Sequence, residues 1–337
     1  MTKRIFFSLF LMIPVAVNTL VAQSKTGTSI GQFLLIEPSA RIAGMGNAGV
    51  TNYDEIQAAY YNPAAIGLFS GRGVQLTHSL WLADITYDYA AAGISLGDFG
   101  SILATVTALN SGEIDVRTVE QEHGTGERYT VSDVAFGLGY GRQISDRFSV
   151  GVVVTYMQET IWHSSMSAFA LSVGTIYRID PDGLHIGASI SNFGTRGKFD
   201  GRDLRIQYDQ DPTIYGNNGN LPAQLFTDDF PLPVLFRVGL GMPVEISEDN
   251  RIHLVVDAFH PSDNTESVSM GAEWGFRDVL FLRGGYQNLF QQDSELGLTL
   301  GVGVQYQSDD YTISFDYGWA DQGRLEKSHR MTLGVMF

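Results

Sequence analysis

The stretch E-L-G-L-T-L-G-V-G-V-Q-Y, Glu295 to Tyr306, decides the fold. Leu296, Leu298, Leu300, Val302, Val304 and Tyr306 share one parity, while Glu295, Gly297, Thr299, Gly301, Gly303 and Gln305 share the other. A two-residue period is the signature of a strand, because successive side chains leave a pleated backbone on opposite faces. One face of this strand is greasy and the other small or polar. The same alternation runs through Phe148 to Tyr156, with only Val153 out of step, and through Leu184 to Ile190, Tyr311 to Tyr317 and Met331 to Phe337. These runs extend over about 9 to 14 residues, whereas strands of soluble sandwiches are usually about 5 to 6. The longer range is what a tilted strand needs to cross a bilayer.

Aromatic residues mark many strand ends: Trp81, Tyr87, Tyr140, Trp162, Tyr177, Phe193, Trp274, Phe276, Tyr286, Tyr306 and Trp319. That placement suits two interfacial girdles. The pattern predicts fourteen strands, at 72–80, 84–96, 100–118, 129–142, 147–160, 166–179, 183–194, 233–245, 251–260, 266–276, 279–288, 295–307, 310–320 and 328–337. Connections after even strands are short, and the long ones (119–128, 195–232 and 321–327) all follow odd strands. A bacterial barrel has this asymmetry, with short periplasmic turns and longer outer loops. The expected fold is therefore an all-β, antiparallel transmembrane barrel of about 14 strands, residues 72–337. The loop at 195–232 runs 38 residues and is rich in Gly, Asp and Asn with apolar residues interspersed. Its apolar residues suit either a lid folded over the mouth or a merely solvated loop; if the loop instead recruits a protein, Tyr215, Leu225, Phe226 and Phe230 are the residues that would anchor the partner.

Composition agrees. Of 337 residues 17% are charged, where a soluble domain carries roughly 25%, and 38 are Gly. A net charge of -16 argues against a nucleic-acid partner, and the absence of Cys removes disulfides and thiolate metal sites. Lys3 and Arg4, the apolar run Ile5 to Val17 and the small residues up to Ala22 read as a signal peptide, 1–22. Its removal takes two positive charges and shifts the net charge from -16 to -18. Phe337 ends an alternating last strand, the expected signal to the barrel-assembly machinery. The chain is expected in the bacterial outer membrane among its lipids, with both termini periplasmic.

Two catalytic signatures are decoys. Gly93, Ser95 and Gly97 spell G-x-S-x-G, and Asp98, Phe99 and Gly100 spell D-F-G, yet both lie where one strand turns tightly into the next. A nucleophile elbow needs a strand-to-helix turn with an acid and a His to follow. The seven His residues show no spacing that suggests a metal site. No enzyme, cofactor or metal is expected.

Residues 31–69 break the two-residue period, within a segment, 23–71, that precedes the first strand. Asp54 is placed to cap a short helix running through Tyr60, and Pro63 stops Asn62 from continuing it. Gly44, Gly46 and Gly49 permit tight backbone packing. A fourteen-strand ring is wider than side chains alone can fill, so this apolar unit is expected to serve as a small N-terminal plug.

Within it, F-L-L-I-E-P-S-A-R-I-A-G-M-G-N-A-G-V from Phe33 to Val50, Asp54, and Y-N-P-A from Tyr61 to Ala64 resemble the N-terminus of the PorV/PorQ family, part of the FadL-like group of outer-membrane barrels. Arg41, Gly44, Met45 and Gly46 carry the PorV/PorQ likeness, and Asn62, Pro63 and Ala64 are shared with FadL-type proteins. The resemblance implies type IX secretion, with exported cargo C-terminal domains or translocon components as partners. The FadL-like alternative is passive transport of hydrophobic small molecules such as long-chain fatty acids.

Overall fold

The computed structural model describes residues 26–180, 183–211, 213–214, 220–291 and 294–337. The expected signal peptide and Tyr215 lie outside these residues.

Fourteen long strands form one sheet: β1 Arg72–Leu80, β2 Thr86–Ser95, β3 Ser101–Asp115, β4 Arg128–Ser145, β5 Phe148–Ile161, β6 Ser164–Arg178, β7 His185–Gly194, β8 Leu235–Ser247, β9 Asn250–Pro261, β10 Ser267–Phe276, β11 Leu280–Leu289, β12 Leu298–Gln307, β13 Thr312–Asp321 and β14 Lys327–Met336. Every neighbouring pair is antiparallel, and β14 pairs back onto β1 from Gly73↔Met336 to Leu80↔His329. The sheet is thus a closed barrel of fourteen strands, with no free edge to attract another chain. Connections after even strands are 96–100, 146–147, 179–184, 248–249, 277–279 and 308–311. The longest connections, 116–127 and 195–234, lie on the opposite rim. G-x-S-x-G closes β2 and enters the turn to β3, which holds D-F-G, with Gly97 and Gly100 at positive φ.

Burial follows the alternation. On β1, Val74, Leu76 and Leu80 are exposed on the outer wall, whereas Gln75, Thr77 and Ser79 are buried inside. On β12 the exposed Leu298, Leu300, Val302 and Val304 oppose the fully buried Thr299. This inverts a soluble protein, and it suits a wall whose outside meets lipid. Val153, the residue out of step, faces inward and joins an apolar cluster with Ile66, Leu103 and Ala135.

Three local expectations are corrected. Tyr87 is fully buried in the lumen, and Trp81 packs against the interior cluster, so neither belongs to a lipid-facing girdle. Residue parity sends Tyr87 inward; position near a strand end does not override it. β12 begins at Leu298, three residues late, and Glu295 lies outside it, paired with Arg324. Asp54 caps no helix. The helix is Ala58–Tyr61, its N-cap position is Gln57 without a side-chain cap bond, and Asp54 pairs with Arg41 instead. The stop at Pro63 is as expected, with Asn62 extended at φ -150°.

Residues 30–66 lie within the ring. Most are buried, and they hydrogen-bond to inward groups on strands all round it. A second short helix, Ala40–Ala43, is capped by Ser39, whose Oγ accepts from Ile42 N. A 3-10 helix runs Pro63–Leu68.

Candidate functional site

Ser39 starts the helix that points Arg41 into the wall. Two N–H groups of Arg41 donate to the Glu273 carboxylate on β10, each at 2.8 Å, and its Nη1 meets Asp54 Oδ1 at 2.8 Å. Glu273 also accepts from Arg283 Nε on β11 at 2.6 Å. Arg283 Nη1 donates in turn to Asp316 Oδ1 on β13 at 2.6 Å. Two arginines and three carboxylates thus form one chain from the inner segment to the wall. Bidentate, charge-assisted pairing of this kind fixes orientation as well as distance.

The charges act on their neighbours. Burial is the largest single influence and works against the charged forms of Arg41 and Asp54, but the opposite charges together outweigh it: Asp54 and Glu273 hold Arg41 well above its usual range, and the charge and hydrogen bond of Arg41 hold Asp54 below its own. Glu55 has no such partner. It accepts from Ser39 Oγ at 2.8 Å, and burial pushes it up to about 7 despite Arg41, with Asp316 adding to the rise. Glu37 is also raised by burial, against the charges of Arg330 and Arg237.

The motif residues all enter the lumen, yet they fall into two groups. Gly46 N donates to Thr299 Oγ1 at 2.8 Å, and that hydroxyl donates to Gly44 O at 3.2 Å, so the glycine turn is strapped to β12. Met45 is fully buried, with its backbone against Gly271 and Gly285. Across the ring, Asn62 Nδ2 donates to Val50 O (2.8 Å) and Thr175 O (3.0 Å). Its Oδ1 accepts from Ala64 N at 3.0 Å, and Ser149 Oγ donates to Ala64 O at 2.7 Å. The Pro63 carbonyl rests directly on Gly151 of β5, where a Cβ would collide with it. Inward strand glycines are therefore seats for the backbone of the inner segment.

At the long-loop rim, Leu225 and Phe226 are exposed, the latter by 81%, and Phe230 sits at the margin at 38%. Lys198 Nζ lies 4.5 Å from the Phe226 ring centre, and Phe230 bridges to Gly197. These three residues share one loop, which folds back as a hairpin of Arg205–Tyr208 with Leu221–Gln224. Phe337 lies at the closing seam: its N–H donates to Arg72 O at 2.7 Å, and the Arg72 guanidinium stands 5.7 Å over its ring.

Sequence reading missed Glu273, Arg283 and Asp316. Their signal was available, since each is a charged residue at an inward-facing position of an alternating strand.

Cavities are spaced along the lumen. One of about 530 Å³ opens at the long-loop mouth beside Trp81, Phe259 and Asn47. A narrow one of about 60 Å³ lies among Tyr60, Tyr87, Tyr89 and Arg237. A third, about 280 Å³, adjoins Arg41, Asp54, Arg283 and Asp316.

A family model described as type IX secretion system protein PorV matches residues 20–258. No curated protein matches the chain. Among solved structures, the chain is similar to the Pseudomonas putida toluene transporter TodX, with TM-score 0.56 and 13% identity over 89% of this chain and 97% of that one. The Ralstonia pickettii toluene transporter TbuX gives TM-score 0.53 and 13% identity over 89% and 97%. A Pseudomonas aeruginosa FadL homologue gives 0.54 and 11% over 89% and 98%. At such identities the likeness is one of fold: a FadL-like outer-membrane barrel.

Proposed function

Because the chain belongs to the family described as type IX secretion system protein PorV, we propose that this outer-membrane barrel acts as a non-enzymatic binding partner in type IX secretion. It engages exported cargo C-terminal domains or translocon components at its long-loop rim, which faces outward, with both termini periplasmic. Residues 1–22 serve as the export signal, residues 23–71 act as the plug, and Phe337 is read by the barrel-assembly machinery.

The observation that carries this reading is the filled lumen. Residues 30–66 bind the wall through paired charges and backbone seats, and the mid-lumen cavity is only about 60 Å³. A protein so plugged is better suited to holding a partner than to conducting one through its centre. The loop carrying Tyr215, Leu225, Phe226 and Phe230 supplies the anchor, since exposed aromatic side chains bury large areas on association at small entropic cost. Outer-membrane lipid surrounds the wall.

A second reading, passive transport of hydrophobic small molecules, draws on the mouth cavity and its apolar residues Trp81, Leu235 and Phe259. In that case Asn62, Pro63 and Ala64 hold a plug that shifts on ligand entry.

One experiment separates them. Leu225, Phe226 and Phe230 are replaced together by Ser, and capture of a tagged cargo C-terminal domain is compared with uptake of a labelled long-chain fatty acid. Secretion predicts at least a tenfold loss of capture, with gel mobility before and after heating still reporting a folded barrel. Undiminished capture removes the loop from the proposal, and fatty-acid uptake abolished by Asn62→Ala transfers it to transport.

A further inference from the structure

The closed ring has no free edge, but one of its strands outruns it. On the long-loop rim β3 continues to Asp115, whereas its pairing with β2 stops at Thr86↔Asn110. Above that point β3 keeps a single neighbour, β4, through Glu113↔Thr130, Ile114↔Tyr129 and Asp115↔Arg128. The wall there projects past the ring as a sheet of β3 to β6 with two margins. The chain covers the β6 margin itself, where Asp200 and Gly201 of the long loop pair with Ser165 and Ser164. The β3 margin has no such cover among the described residues.

Its backbone groups point in a fixed order. Val116 N donates to Glu127 O at 3.0 Å, so Val116 and its predecessor of the same parity, Ile114, turn N–H and C=O toward β4. Antiparallel pairing alternates, and Glu113 and Asp115 therefore turn theirs away from β4, into solvent. Both residues are exposed. An unpaired edge of this kind accepts another extended chain, whose own backbone supplies the complementary row of donors and acceptors.

Side chains decide which chain fits. Glu113 and Asp115 share one face of the projecting sheet with Arg128, whose Nη1 meets Glu113 Oε2 at 2.5 Å and whose Nε donates to Asp115 Oδ1 at 3.2 Å. One guanidinium cannot neutralise two carboxylates, and from Glu113 to Arg128 five acids stand against two arginines. Ile114 and Val116 lie on the opposite face, half-buried, with Tyr129 as the cross-strand partner of Ile114. Charges at an edge discourage indiscriminate pairing. Here they also select a complement, because opposite charges facing each other across strands stabilise the pair and like charges do the reverse. The matching strand alternates basic with apolar residues.

We propose that the projecting edge of β3, residues 111–117, binds an extended segment of another protein that alternates basic and apolar residues, added as a further strand. Glu113 and Asp115 exchange backbone hydrogen bonds with it and face its Lys or Arg side chains, while Ile114 and Val116 meet its apolar ones. The edge is separate from the loop residues assigned to cargo. Its failure therefore leaves the secretion reading untouched, and the reverse also holds.

The test uses the full barrel in an uncharged detergent at about 0.15 M salt, where long-range attraction to an acidic protein is largely screened. Two labelled, end-capped peptides alternating Lys and Val are titrated by fluorescence anisotropy. They differ only in that one is N-methylated at every backbone amide, which keeps its charge and removes its donors. The expected result is saturable binding of the unmodified peptide with a Kd of about 100 µM or tighter, at least tenfold weaker binding of the methylated one, and slowed hydrogen exchange at residues 111–117. Asp115→Pro deletes an edge N–H that β4 does not use and should weaken binding at least tenfold, whereas Asp115→Asn, which keeps that N–H, should weaken it less. Heat-dependent gel mobility confirms a folded barrel in each variant. Equal binding of the two peptides reduces the effect to charge and overturns the proposal. So does absence of saturable binding, protection that falls elsewhere, or a Pro variant that binds like the native chain. Self-association of the native barrel that Asp115→Pro abolishes overturns it in favour of a second copy at this edge.

Discussion

Arg41 and Glu273, 232 positions apart, meet in a two-pronged hydrogen bond with both contacts at 2.8 Å. The pair joins the inner segment to the wall, and Glu273 relays the contact through Arg283 to Asp316. Replacing Arg41 by Ala leaves the buried Glu273 and the half-exposed Asp54 with one fewer cation. The docking of the inner segment should weaken by about 3–5 kcal/mol, the usual result of breaking a buried pair from one side. Hydrogen exchange should then accelerate across residues 39–66 while the strands stay protected. Arg41→Lys should restore little, because a single ammonium cannot make the fork. Unchanged exchange in both variants would mean that the pair contributes nothing to docking.

The glycine seats give a test with an internal control. Gly151→Ala places a methyl group against the Pro63 carbonyl, whereas Gly284 has open space at its Cβ position. Overpacking typically costs about 1–3 kcal/mol. The first substitution should lower thermal stability and loosen residues 62–68, and Gly284→Ala should do neither. Equal effects at both sites would point to a general intolerance of the strands, not to seating.

Asn62 makes two donations and one acceptance from a single buried amide. Asn62→Ala removes all three and leaves the carbonyls of Val50 and Thr175 without that donor. A loss of about 2–4 kcal/mol follows if each uncovered carbonyl costs on the order of 1–2 kcal/mol. Limited proteolysis should reveal new cleavage near residues 62–68, and an unaltered digest would contradict this.

Docking should also depend on pH. Glu55 is pushed up to about 7 by burial, above its ordinary 4.5. Below about 4.5 it is protonated whether docked or not, so it exacts no cost. As pH rises toward 7 the undocked segment releases this proton before the docked one does, and docking weakens progressively, with the full penalty reached above 7. The shift corresponds to about 3 kcal/mol at most. Raised Glu37 acts in the same direction, and depressed Asp54 in the opposite one, supporting docking until pH falls below its ordinary value. Melting at pH 5 and pH 8 should show the Glu55→Gln variant gaining on the native chain at the higher pH. An identical difference at both pH values would show that Glu55 does not titrate in this window.

The barrel was legible because its signals are local. Alternation at Leu296 to Tyr306, the sidedness of the connections and the run from Phe33 to Val50 each reside in a few adjacent residues. Strand parity, strand count, the long-loop rim and the family could all be read from them. Closure of the sheet decided the rest. Glu273, Arg283 and Asp316 looked like scattered charges until the ring placed them around Arg41. Asp54, a reasonable helix cap by its position, was taken by that same arginine because a buried guanidinium gains more from a second carboxylate than a four-residue helix gains from a cap. Trp81 and Tyr87 turned inward to meet the enclosed segment. Periodicity is a property of neighbours along the chain, whereas ion pairing and backbone seating are properties of residues brought together only when the first strand meets the last.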